Sequence, residues 1–234
     1  MDANELVEKP LSAVPANFGL SMIASRRLMK RDGGTRIFFV RHGDTIDEET
    51  KKVYKGSIDI PLSDRGRQRI ARASEFLSRF KMDFIYTSAL SRCIESGKII
   101  AEKQGVSIET ESALNELGFG LWEGMSFDEI RESYPREIEL WLKDFETHTP
   151  PQGEPMRDAQ QRSVAKFKEI ADKHRGQNIV IVCHAGILRL IICSILDLKL
   201  SGMFRISQDY GCIDMVRVYK DNIAVVELLN FTQY

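Results

Sequence analysis

Two short runs of apolar, β-forming residues stop abruptly at a histidine, and they constrain the fold more than any other feature of the chain. Ile37-Phe38-Phe39-Val40 runs into Arg41-His42-Gly43, and the stretch from Asn178 to Cys183 runs into His184-Ala185-Gly186. Runs this short and this apolar read as strands buried on both faces. Between them, Ser63-Asp64 offers an N-cap for a helix through about Phe80. Phe84-Ile85-Tyr86 is a further short strand, and a helix after Ser88 ends near Gln104-Gly105. Val106-Ser107-Ile108-Glu109 alternates like a strand with one exposed face. Helices are expected again from about Met156 to His174, ended by Gly176, and from Ile187 to about Leu196. Cys212–Tyr219 and Ile223–Leu229 read as a terminal hairpin around Lys220-Asp221-Asn222. Strands alternating with helices predict an α/β fold, a three-layer sandwich with a mainly parallel central sheet and helices on both faces. The rhythm breaks between about Asn115 and Pro155, where Gly118, Gly120 and Gly124 precede a Trp- and Glu-rich stretch; this region is expected to be an inserted lid.

The main domain is expected over residues 35–234, with residues 1–34 as an N-terminal extension. That extension carries Pro10, Pro15, a Gly33-Gly34 break and the basic residues Arg26, Arg27, Lys30 and Arg31. It reads as a loosely docked arm or as an arm that reaches a second copy in a homodimer. A net charge of -1 gives no overall pull toward nucleic acid or an anionic membrane. No apolar stretch of about 18 residues is present to span a bilayer. The acidic start, Met1-Asp2-Ala3-Asn4-Glu5, lacks the basic-then-apolar order of a secretory signal. Cys93, Cys183, Cys193 and Cys212 form no C-x-x-C pair and read as reduced thiols in or near the core. A cytoplasmic location is the expectation that follows.

Three strand ends carry the chemistry. Besides those at His42 and His184, a third strand ends near Ser88, with Arg92 one helical turn later. Open α/β sheets bind ligands just beyond the C-terminal ends of their strands, so two histidines and two arginines converge on one rim. A single histidine after a strand is commonly only a polar loop residue. Two that share an apolar strand before them and a glycine close behind are better explained by a site, since glycine lets backbone approach a ligand closely. Zinc is a competing reading for paired histidines, but the fixed charge of Arg41 repels a cation. Arginines suit an oxyanion such as phosphate, which they bind bidentately. Neither a metal nor another cofactor is expected, since no carboxylate cluster with the charge for Mg²⁺ or Ca²⁺ is apparent.

Arg41-His42-Gly43-Asp44-Thr45 resembles the signature of the histidine phosphatase superfamily, also called phosphoglycerate mutase-like. The likeness continues through Gly56-Ser57, Asp59, Pro61-Leu62-Ser63 and Gly66, and through Thr87-Ser88-Ala89-Leu90-Ser91-Arg92. It extends over Asn115-Glu116-Leu117-Gly118-Phe119-Gly120-Leu121-Trp122-Glu123-Gly124 and ends at Val182-Cys183-His184-Ala185-Gly186. The resemblance implies that His42 is the nucleophile, that Arg41, Arg92 and His184 hold the phosphoryl oxygens, and that Glu116 gives the leaving group its proton. Thr45, Ser57 and Ser88 are implied as minor phosphate contacts. The residue after the first glycine is commonly Glu or Gln in this family and is Asp44 here. Asp47-Glu48-Glu49 stands where mutases usually carry an Asn, which makes the mouth more acidic. The stretch from Phe204 to Asp214 resembles the small-phosphatase branch with its α-ribazole phosphatase-like members, and the short tail after Leu229 favours hydrolysis. The expectation is a metal-independent phosphomonoester hydrolase of a small soluble phosphorylated metabolite, working through phosphohistidine. The alternatives are a phosphoglycerate mutase-type isomerase and a non-catalytic phosphate-binding scaffold. Trp122, Phe127, Arg131, Trp141, Phe145 and His148 are candidates to face the substrate from the lid, though core packing explains most of them equally well.

Overall fold

The structure, a computed structural model, describes residues 34–49 and 52–234. The extension expected over residues 1–34 therefore lies, apart from Gly34, outside the described residues, as do the side chains of Glu48 and Glu49. Among the described residues six strands form one sheet: β1 (Thr35–Arg41), β2 (Phe84–Thr87), β3 (Ile108–Thr110), β4 (Asn178–Cys183), β5 (Ile213–Val218) and β6 (Ala224–Phe231). Their order is β3-β2-β4-β1-β5-β6. The first four of these run parallel, and β5 and β6 add an antiparallel hairpin beside β1. The mainly parallel sheet read from the apolar runs is the sheet that forms.

Alternation along the strands divides the core into two layers. Phe38, Val40, Val180 and Val182 face α1 (Asp64–Leu77) and α2 (Ser91–Gln104), whose Ile70, Leu77, Cys93 and Ile100 share their cluster. Ile37, Phe39, Ile179 and Ile181 join the opposite cluster, with Phe167 and Ile170 of α5 (Met156–Lys173) and Leu188 and Ile191 of α6 (Ala185–Ile195). Local signals set the helix ends. The Ser63 hydroxyl accepts the Gly66 N–H at 3.1 Å and caps α1. Gly105, at φ 65°, closes α2 in the left-handed conformation.

The segment expected as a lid contains α3 (Phe127–Ser133) and α4 (Pro135–Lys143). Ser126 and Glu129 form a capping box at the start of α3, and Pro135 opens α4. Trp122, Ile130, Ile138 and Trp141 are buried in the same cluster as α5 and α6. The segment is thus packed as part of a core layer. Phe119, Phe127 and Phe145 face the cavities at the strand ends.

Candidate active site

Parallel pairing brings the two histidines together. β1 and β4 are in register with Arg41 opposite Cys183, so His42 and His184 leave neighbouring strands side by side. Their ring centroids lie 5.1 Å apart. β2 pairs on the other side of β4 with Thr87 opposite Val182, which sets Ser88 beside the pair. The turn after β1 is held tightly against α1, because a Cβ on Gly43 would come within 2.5 Å of the Gly66 carbonyl oxygen. Glycine is required there by close approach of two backbones.

His42 is buried, and its Nδ1 lies 2.8 Å from the Gly43 carbonyl oxygen. A carbonyl only accepts, so Nδ1 carries the hydrogen and Nε2 keeps its lone pair. Burial holds the His42 pKa well below its ordinary value, and the charges of Arg41 and Arg92 push it the same way. The ring is therefore neutral at physiological pH, as a nitrogen nucleophile must be.

His184 is also kept neutral, by burial first and then by His42 and Arg92. The Arg92 Nε–H points to its Nδ1 at 3.4 Å, which leaves Nε2 to donate to the Ser88 hydroxyl at 2.8 Å. The Ser88 hydroxyl in turn donates to Asn115 Oδ1 at 2.9 Å. Both ring nitrogens of His184 thus meet protein groups.

The arginines are aimed by backbone. Arg92 is 1% exposed, and its two terminal nitrogens donate to the carbonyls of Ile58 at 2.7 Å and Gly56 at 3.0 Å. Glu123 holds that loop from outside. Its carboxylate accepts the amides of Gly56, Ser57, Ile58 and Phe119 at 2.8–3.1 Å. Burial alone would raise its pKa, but these amides bring it below the ordinary carboxylate value. Arg41 donates to the Gln208 carbonyl at 2.6 Å and lies 3.6 Å over the Tyr210 ring. Its Nε is buried with no hydrogen-bond partner among the described residues. Such a donor in a cleft of about 380 Å³ lined by Arg41, His42, Lys55, Arg92, Glu116 and Arg189 suits an anionic ligand.

Glu116 stands at the rim of this cleft. Its carboxylate accepts the Leu117 amide at 3.0 Å and the Gly186 amide, from the first turn of α6, at 3.1 Å. The other expected contacts fall elsewhere. Ser57 is exposed, and its hydroxyl donates to Glu123 at 3.0 Å. Thr45 is buried, accepts from Lys55 at 2.9 Å, and borders a separate hollow beside Asp44, Arg65 and Arg69. Asp44 turns to α1, paired with Arg69 at 2.9 Å. Asp47 is paired with Lys55 at 3.0 Å, which offsets the acidity expected at the mouth. Of the lid candidates, Trp122 is a core residue, Trp141 is buried but reaches the wall of a cavity that Phe145 also lines, Phe127 faces the cleft around His42, and Arg131 is exposed. His148 bonds within its own turn, to Thr147 and the Asp144 carbonyl.

Sequence reasoning gave no role to Glu123, Gln208, Tyr210, Asp214 or Arg189. Gln208 donates to the fully buried Asp214 at 2.8 Å, so an acid on β5 anchors the residue that positions Arg41. Among the described residues no three His, Cys, Asp or Glu side chains group as metal ligands would, and no helix is long and apolar enough to cross a membrane.

Comparison with known proteins places this geometry. The family model described as histidine phosphatase superfamily (branch 1) matches residues 37–231. Phosphoserine phosphatase 1 of Hydrogenobacter thermophilus is 25% identical over 193 residues, 82% of this chain and 91% of its own. Phosphoglycerate mutase-like protein 4 of Arabidopsis thaliana is 33% identical over 156 residues, 65% of this chain and 67% of its own. The crystal structure of the alpha-ribazole phosphatase from Shigella flexneri shares the fold, with a TM-score of 0.77 at 24% identity over 84% of this chain and 96% of that one.

Proposed function

Because the chain belongs to the histidine phosphatase superfamily, we propose that it hydrolyses phosphomonoesters of small soluble metabolites through a phosphohistidine at His42. The observation that carries this reading is the neutral His42 ring, with Nδ1 tied to Gly43 and Nε2 free, in a cleft shared with Arg41, Arg92 and Glu116.

In the first half-reaction the Nε2 lone pair attacks phosphorus, and the bond from phosphorus to the ester oxygen breaks. The Glu116 carboxyl gives its proton to the departing alkoxide, so a neutral alcohol leaves. Arg41 and Arg92 offset the charge on the three equatorial oxygens, as fixed donors that need no reorganisation. His184 packs against the His42 ring from the neighbouring strand. In the second half the Glu116 carboxylate takes a proton from water, the hydroxide attacks phosphorus, and the bond from phosphorus to nitrogen breaks. Inorganic phosphate leaves and both residues are restored. No step uses a metal.

The test is phosphate release from simple phosphomonoesters by the full chain in excess chelator, with ¹⁸O-labelled water. Release of phosphate carrying one labelled oxygen is the expected result. A strict need for added metal, or transfer only to a second hydroxyl without label, would overturn the reading.

A further inference from the structure

We propose that the side of the cleft beyond Glu116 is an apolar annex selecting phosphomonoesters of alcohols that carry an aromatic body; this rests on the phosphatase reading above. A second cavity, of about 360 Å³, opens there. It shares Tyr54, Glu116, Phe119 and Arg189 with the cleft around His42, so the two adjoin at the proton donor. Its far wall is Trp141, Leu142 and Phe145 on one side and Met203 and Phe204 on the other. Among the described residues, Glu116 and Arg189 are the only charged side chains that line it.

The walls are braced against each other. The Ser201 amide donates to Glu146 at 2.9 Å, and Phe145 meets Phe204 edge to face at 5.0 Å. Arg189 Nε donates to the Ile206 carbonyl at 2.8 Å, which ties α6 to the same turn. Even so, Leu142 and Phe204 remain 54% and 53% exposed beside the opening. A preformed apolar hollow with exposed rims is arranged to take apolar surface from a ligand.

The position of Glu116 says which part of the ligand that is. The ester oxygen must sit at its carboxyl to receive the proton, so the carbon skeleton on that oxygen continues past Glu116 into the annex. A polyol or a second phosphate would lose its water there with few partners in return. An aromatic ring would gain from burial and from edge-to-face contact with Phe145, Trp141 and Phe204. An apolar cavity of about 150 Å³ is enough to hold benzene in another protein, so the space here accommodates more than one ring.

Ethyl phosphate and 2-phenylethyl phosphate release alcohols of similar acidity and differ in the aromatic body. With the full chain, kcat/KM should be about 10- to 100-fold higher for the phenylethyl ester. In Leu142→Ser and Phe204→Ser, both at exposed positions, that ratio should fall toward one while the melting temperature stays near wild type. Equal kcat/KM for the two esters, or a ratio unmoved in both variants, would overturn the annex and leave the phosphatase reading standing. Hydrolysis of neither ester, with no phosphoenzyme formed, would overturn the phosphatase reading itself.

Discussion

At the scale of single residues, one hydrogen bond decides which nitrogen His42 offers: Nδ1–H donates to the Gly43 carbonyl, and Nε2 keeps its lone pair. The proposed mechanism gives Glu116 two tasks, and replacing it separates them. Glu116→Gln keeps the shape and removes the transferable proton. Turnover of an alkyl phosphate should fall about 10²–10⁴-fold. The first step with an aryl phosphate, whose leaving group needs no proton, should fall much less. Equal losses on both would remove Glu116 from the acid role. Asp214 supplies a second, pH-dependent test. Burial pushes its carboxyl up from the ordinary 3.8 to about 6, against the hydrogen bonds from the Asn230 amide and Gln208. The folded chain holds that proton more tightly than the unfolded chain does. The resulting stabilisation is complete below the unfolded value and is lost as pH rises through about 6. Asp214→Asn carries no such charge. Denaturant unfolding should show its stability relative to wild type improving by about 1–2 kcal/mol from about pH 5 to about pH 7.5. A difference constant with pH would contradict the buried charge. The contrast between residues read and missed is physical. Arg41, His42 and His184 are marked by the strands that end at them. The directions of the Ser57 and Thr45 hydroxyls are set by Glu123 and Lys55, partners that local spacing does not reveal.

At the scale of elements, the cleft depends on a loop, residues 56–58, that does not itself line it. Glu123 gathers the amides of residues 56–58, and the carbonyls of Gly56 and Ile58 then hold Arg92. Asp59, next in the chain, accepts the Ser91 amide at 2.8 Å and fixes the start of α2. Glu123→Gln should therefore lower kcat/KM about 10- to 100-fold, since displacements near 1 Å at a catalytic group have effects of that order. Inhibition by orthovanadate should weaken in parallel. Undiminished activity would show that Arg92 is positioned without the loop. Helix ends at Ser63 and Gly105 were readable because capping chemistry is local. The role of residues 115–155 was not. Their glycines suggest an inserted lid, and the burial of Trp122, Ile130, Ile138 and Trp141 against α5 and α6 is settled by tertiary contact.

At the scale of the whole molecule, the sequence carried the α/β class and the convergence of strand ends, because both follow from where apolar runs begin and stop. It did not carry the order β3-β2-β4-β1-β5-β6, which depends on how the crossovers are threaded. That order places β1 and β4 side by side and so makes neighbours of His42 and His184, about 140 residues apart in the chain. It also leaves Glu116, carried into place by the segment after β3, between the phosphate cleft and the apolar cavity. The central claim is that the phosphoryl group rests on His42 between two chemical steps. Rapid quench of the full chain with a labelled phosphomonoester, followed by mass mapping under alkaline conditions, tests it most directly. An acid-labile, base-stable phosphoryl group on His42, absent from His42→Ala, is the predicted result. A phosphoenzyme that persists in His42→Ala, or one mapped to a serine or cysteine, would contradict it.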